Sequence, residues 1–302
     1  MTPHPARPGP GGDVGGGGGT AYLLRVTGAG WVRGRLGAAV LPSLGIAVVL
    51  AGFEVAPRVG LLPSSSFPPT SEVLVALVDL LGTSELWTTV GSTLGAWAWA
   101  MAIAAVVAVP LGLLVGTNRL VGLLCRATIE FLRPIPSIAL VPVLILVHGT
   151  ETSLTVTLGA FAAAFPLLFQ AMYGVADVDP VARDMSRAYG LGWFARVRYV
   201  TVPSCAPYLA TGMRISASVA LVLVVTGEYV AGVPGLGQKV FVAQSGGAYD
   251  RAYAWVLVAG LLGLLVNLGF QGLERRYLWW HPSQRDRRGG PAHRAISVGE
   301  RS

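Results

Sequence analysis

Lys239 is the only lysine in this chain of 302 residues, and it stands in a Gly-rich string, GVPGLGQKV, of the kind that could cradle a phosphate. A nucleotide loop of that type needs its Lys at a fixed step after Gly. The spacing here does not supply it, so the string reads as a tight turn or a re-entrant stretch. Acid–base or nucleophilic chemistry would need clustered groups. The four histidines are His4, His148, His281 and His293, three of them in the tails, and His148 stands beside HGTETS without a G-x-S-x-G nucleophile. Cys125 and Cys205 are isolated and give no metal-ligand spacing, so they read as small packing residues. No catalytic residue, metal or cofactor is expected. What does stand out is a pair of charges inside an apolar run, Arg214 and Glu228, and a charged string between two apolar runs, from Asp184 to Pro203.

The elements that must position these residues follow from composition. Only 12% of residues are charged and 53% are hydrophobic, with a mean hydropathy of +0.61. Too few charges exist to solvate the surface of a 31 kDa globule. The arithmetic excludes a pair of soluble domains, a disordered chain and a disulfide-stapled secreted domain. It also excludes a nucleic-acid binder, despite a pI near 9.8 and a net charge of +7. This is the composition of an integral membrane protein.

A spanning helix needs roughly 17 to 25 apolar residues. Residues 86–118, 152–176 and 252–273 carry no charge; 134–150 is also charge-free but short, with Pro134, Pro136 and Pro142. Residues 37–57 carry Glu54 alone, and 205–230 carry Arg214 and Glu228. None alternates as a barrel strand would. The expected fold is all-α, a polytopic bundle of about six transmembrane helices. With the N-terminus inside, Arg119, Arg126, Arg133, Arg183, Arg187, Arg196, Arg198 and the basic residues of both tails are cytoplasmic, and only Arg58, Lys239 and Arg251 fall outside. That bias places both termini in the cytoplasm of a cell-membrane protein. Residues 1–36 are expected to be a disordered cytoplasmic tail, 37–280 the membrane domain and 281–302 a second tail. Trp279 and Trp280 read as interfacial anchors, and Gly91 and Gly95 as a weak GxxxG.

The loop 176–204 is long for a helix connection. Asp179 before Pro180 forms a helix start, and Gly190 a stop. Between them Val181, Met185, Ala188 and Tyr189 form one apolar stripe, opposite Arg183, Asp184 and Arg187. A second short segment, GWFARVRYV, is expected to end at Pro203. The pair reads either as an amphipathic hairpin resting on headgroups or as a docking element for a cytoplasmic partner.

The string DMSRAYGLGWFARVRYVTVP resembles the "EAA" loop of permease subunits of binding-protein-dependent ABC importers, through Asp184, Met185, Ser186, Gly190, Val200, Val202 and Pro203. It departs from that pattern by Asp for Glu and Met-Ser for Ala-Ala. SSSFPPTSEVLVAL, IEFLRPIPSIALVPVLIL, GVADVDP, APYLATGMRIS and GEYVAGVPGLG resemble the nitrate, sulfonate and taurine branch, over roughly residues 64 to 280.

The resemblance implies a type I importer permease of MetI-like fold. Its partners would be a cytoplasmic ABC ATPase, an extracytoplasmic solute-binding protein, a second permease chain in a homodimer and the lipid bilayer, with no nucleic acid. The solute would be a small anion such as a sulfonate, nitrate or taurine. Asp184, Met185, Ser186, Arg187, Gly190 and Pro203 would belong to the ATPase-coupling loop, with Asp184 as the acid of the first helical turns. Arg214 and Glu228 stand about 21 Å apart along one helix and on nearly one face. They are expected to line the translocation pathway or the dimer seam, the alternative being snorkelling toward headgroups. An intramembrane enzyme, and a secondary transporter or channel without an ATPase, are the rival readings.

Overall fold

The structure, a computed structural model, describes residues 35–63 and 65–277. The expected tails lie outside these residues, apart from Arg35 and Leu36, as do Trp279 and Trp280. By contacts the chain divides into residues 1–52 and 53–302. Every regular element among the described residues is helical. The first expected span falls in α1 (Arg35–Arg58), and a short α2 (Thr70–Leu81) follows. Glu54 accepts from the backbone N–H and the hydroxyl of Ser71, at 2.9 and 3.0 Å, and so caps the first turn of α2.

Among the described residues four helices are long and apolar enough to cross a membrane: α3 (Ser84–Thr117), α6 (Thr152–Ala176), a continuous run Trp193–Ala231 and α11 (Tyr249–Tyr277). They coincide with the second, fourth, fifth and sixth expected spans. The third expected span, 134–150, differs. There α4 (Arg119–Leu132) and the segment Ser137–His148, which ends in α5 (Val141–His148), meet at 85°. Pro134 and Pro136 remove two donors that would have continued α4, so the helix stops and restarts through a 3₁₀ turn, Ser137–Leu140. Pro142 fits because it sits in the first turn of α5, where no partner for its nitrogen is needed. At 8 residues α5 is about 12 Å long, too short to span alone.

The core is built on small residues. Along α3 every fourth position is small, Ala96, Ala100, Ala104, Ala108 and Gly112, and all are buried. This ridge meets α6, where a Cβ on Gly112 would stand 2.6 Å from Ala171 Cβ and one on Gly159 would stand 3.1 Å from Ala100 Cβ. Apolar tails and lipid differ little in hydrophobicity, so close backbone approach and interhelical hydrogen bonds hold such helices together. Ser216 donates to the Ala163 carbonyl at 2.7 Å, and Trp97 Nε1 to the Ala217 carbonyl at 2.9 Å. Gly91 and Gly95 have open space where a side chain would go, so the GxxxG pair takes no part in this packing. A second cluster joins α2 to α11 through Val73, Ala76, Leu80, Trp255, Val258 and Leu262.

Candidate functional site

The charged connection after α6 begins with α7 (Pro180–Ala188), and both ends of that helix are closed locally. The Asp179 carboxylate accepts from the Val181 N–H at 2.8 Å, and Pro180 fills the first helical position. At the other end Gly190 takes φ +72°, a left-handed conformation that suits glycine. Its N–H reaches the Arg187 carbonyl at 2.9 Å and the Leu191 N–H reaches the Ser186 carbonyl at 3.1 Å, a Schellman closure.

The orientation of α7 is unusual for an amphipathic helix. Its apolar stripe points away from the protein: Val181 is 63% exposed, Met185 52% and Tyr189 77%, with Trp193 and Phe194 continuing the patch. On its polar side only Ser186 is buried. Its hydroxyl donates to the Arg183 carbonyl at 2.6 Å, and Arg183 donates to the carbonyl of Val175 in the last turn of α6 at 3.0 Å. Asp184 and Arg187 form an exposed pair at 3.3 Å, the kind that contributes only tenths of a kcal/mol, roughly 0.2–0.5. The three consecutive residues Asp184, Met185 and Ser186 therefore face different surroundings: a surface pair, an open apolar patch and the protein interior.

Pro203 does not end the next segment. The run Trp193–Ala231 is continuous, passing from a short α8 (Trp193–Arg196) through one π-helical turn, Val197–Thr201, into α9 (Val202–Ala231). The Val202 N–H bonds to the Val197 carbonyl, five residues back. The wider turn makes room for the proline ring, which would otherwise clash with the carbonyl four residues earlier. The expected helix–turn–helix hairpin is thus one short helix followed by the start of a spanning helix, so any displacement of α7 bears directly on α9.

The family described as "Binding-protein-dependent transport system inner membrane component" matches residues 108–278, more than half of the chain. The chain belongs to this family. It is similar to the taurine transport system permease protein TauC of Escherichia coli, 27% identical over 244 residues that cover 78% of this chain and 88% of the relative. It is also similar to the bicarbonate transport system permease protein CmpB of Synechococcus elongatus, 25% identical over 190 residues covering 63% and 68%. Among solved structures, the inward-facing MetNI methionine ABC transporter has a chain that superposes with a TM-score of 0.56 at 20% identity, covering 64% of this chain and 95% of that one, which establishes a shared fold. The protein is thus a multi-pass inner-membrane permease component of an ABC importer, and the ATPase and the binding protein are separate partners.

In this permease the two intramembrane charges of α9 are both engaged. Glu228 is 1% exposed in the single chain. The Thr93 hydroxyl, on α3, lies 2.9 and 3.1 Å from its two carboxylate oxygens, and the Gly237 N–H donates to it at 3.0 Å. Thr93 in turn accepts from the Leu236 N–H at 3.0 Å. The Gly-rich string is thereby folded onto the end of α9, where it starts α10 (Leu236–Ser245). A Cβ on Gly235 would overlap the Glu228 carboxylate, and one on Gly237 would overlap the Val225 carbonyl. The glycines serve close approach rather than phosphate binding, and Lys239 pairs with Glu85.

Arg214 lies 3.4 Å from Glu274 in the last turns of α11 and is about one-third exposed. Glu274 was open to sequence reasoning, since an intramembrane arginine needs an acid at its own depth and this one closes the last span. Thr93 was not: nothing in a threonine 135 positions away marks it as a partner. Arg183 was visible only as a member of the polar face. Cys205 is buried, with its side chain 3.0–3.1 Å from where a Cβ on Gly174 would lie, so it is a packing residue.

Proposed function

We propose that the permease moves a small anionic solute, of the sulfonate, nitrate or taurine kind, as a homodimer whose α7 seats in a groove on the ATPase. The observation that carries this reading is the exposed apolar stripe of α7. A helix tied to its own protein by Arg183, with Val181, Met185 and Tyr189 turned outward, leaves an apolar face for a second protein to cover. Residues 176–204 form the coupling loop within a membrane domain 37–280, and both termini are cytoplasmic, as the basic residues require. The coupling helices approach one another when ATP closes the ATPase dimer, and the bundle then exchanges between inward-open and outward-open states.

The names of the relatives support the solute class, because taurine and bicarbonate transporters both handle small species bearing an anionic group. Within the pathway, Arg214 and Glu228 act as struts, since their partners are Glu274 and Thr93. The open face of α9, with Ile215, Ser218, Val222 and Val230, is the surface offered to the second copy or to the solute.

The test is reconstitution of the chain with its ATPase and binding protein in liposomes, with uptake of labelled taurine, an alkanesulfonate and nitrate measured with and without ATP. ATP-dependent accumulation of at least one of these is expected. Uptake that persists without the ATPase, or a complex that accumulates only solutes lacking an anionic group, overturns the reading.

A further inference from the structure

Behind α7, on the side opposite its apolar stripe, lies a cavity of about 180 Å³, several times what one water needs. Its walls are the ends of α3 and α6, the buried side of α7 and the first turns of the Trp193–Ala231 helix. Three arginines line it, Arg183, Arg187 and Arg196, together with the hydroxyl-bearing Thr117 and Ser186 and with Trp193; no carboxylate does.

The three guanidinium groups are not equally satisfied. Arg183 is engaged by the Val175 carbonyl and Arg187 by Asp184. The Nε of Arg196 is buried and has no hydrogen-bond partner. A buried donor on a charged group left unpaired is costly, and in a native protein it calls for an unseen ion or ligand. Arginine is also the side chain best shaped for oxyanions, because its planar fork of donors matches phosphate oxygens.

Depth argues against a protein carboxylate as the occupant. The cavity opens where α3 and α6 end, and Trp193, which lines it, is an exposed aromatic residue of the kind that sits at headgroup level. An acidic side chain from the ATPase would have to reach behind α7, whose outward face is the one a partner meets. Basic pockets between spanning helices at this level suit lipid headgroups.

We propose that this cavity binds a phosphate group, supplied by the headgroup of an anionic phospholipid in the adjacent leaflet or by inorganic phosphate. The bound phosphate bridges Arg196, at the foot of α9, to Arg187 on α7, and so stiffens the joint between the short helix and the spanning helix. Occupancy of the site then sets how firmly movement of α7 is passed to α9.

The experiment uses the full-length chain in neutral detergent. Native mass spectrometry compares uptake of phosphatidylglycerol and phosphatidylcholine, and thermal unfolding compares inorganic phosphate with chloride at equal ionic strength. The wild type should retain phosphatidylglycerol preferentially, with Arg196→Gln weakening retention about five-fold, as for loss of one basic group at a lipid surface. Stabilisation by inorganic phosphate that Arg196→Gln removes supports the same chemistry and assigns it to the free anion. Arg126→Gln, on α4 and outside the cavity, should change neither; if it weakens binding equally, attraction is diffuse and the site does not exist. Should Arg196→Gln fail to fold, Arg187→Gln carries the same comparison. Equal behaviour of wild type and variant toward both probes leaves water as the occupant and overturns the proposal. So does an effect confined to ATPase co-purification. Because no transport is measured, these outcomes are separate from the solute and coupling reading.

Discussion

The two ends of the long α9 helix are held in opposite ways. At one end the chain enters from α7, a helix closed by its own caps, tied to the bundle through Arg183, with its apolar residues outward. At the other end Glu228 is sealed from solvent and held by Thr93 and Gly237, while the backbone of the Gly-rich string presses against it. The first end is self-contained and open to a partner. The second has no freedom without a partner-for-partner exchange of buried hydrogen bonds. Under the coupling role proposed above, a helix latched at Glu228 and entered from an exposed α7 is suited to turn a push on α7 into rotation or tilt about the Glu228 end. The contrast also separates two uses of glycine: Gly190 supplies a left-handed turn in open space, whereas Gly237 supplies absence of a side chain in a closed one.

Three substitutions test that contrast. The largest effect is expected from Gly237→Val. Its Cβ would overlap main-chain atoms of Val225 and Tyr229, which cannot rotate away. The cost should exceed about 4 kcal/mol, in the range reserved for severe core disruption, and be seen as loss of monodisperse protein after extraction or a large fall in Tm. A Gly237→Val chain with wild-type Tm would show that the latch is not closed.

Gly190→Pro comes next. It replaces φ +72° by a residue fixed near −65° and removes the N–H that reaches Arg187, a local cost of about 1–3 kcal/mol. Membrane insertion should be unchanged and ATP-dependent uptake abolished. Normal transport in that variant removes α7 from the coupling path, and a Tm loss as large as that of Gly237→Val erases the difference between the two ends.

The smallest effect belongs to Asp184→Asn. The pair with Arg187 is exposed on both sides, so stability should fall by no more than about 0.5 kcal/mol. Any larger loss in ATPase co-purification then reports a contact that Asp184 makes across the interface, and the difference between the two readouts measures it.

Much of this fold was legible in the residues themselves. The spans 86–118, 152–176 and 252–273 needed only the absence of charge over a membrane thickness, and α7 needed only Asp179, Pro180 and Gly190, because caps act within a few residues. The prolines at 134 and 136 warned of a break in the third span, but the 85° turn between its halves was not in them. Pro203 misled, because a π-helical turn upstream allows the helix to pass through it. Glu228 and Arg214 were legible only in part. Their cost inside a membrane was readable, and so was an acid for Arg214, but Thr93 as the partner of Glu228 was not.

Composition, span length, the distribution of arginines and helix caps are local quantities, and the sequence alone determined them: an all-helical membrane chain with a capped, charged helix between two spans. Only the tertiary structure decided that the apolar side of α7 faces outward, that Thr93 and Gly237 close around Glu228, and that Arg196 is left with an unpaired donor beside a cavity. Each of these depends on which distant backbone comes within hydrogen-bonding distance. That is settled by how small residues on α3, α6 and α9 let whole helices approach, not by the pattern along any one of them.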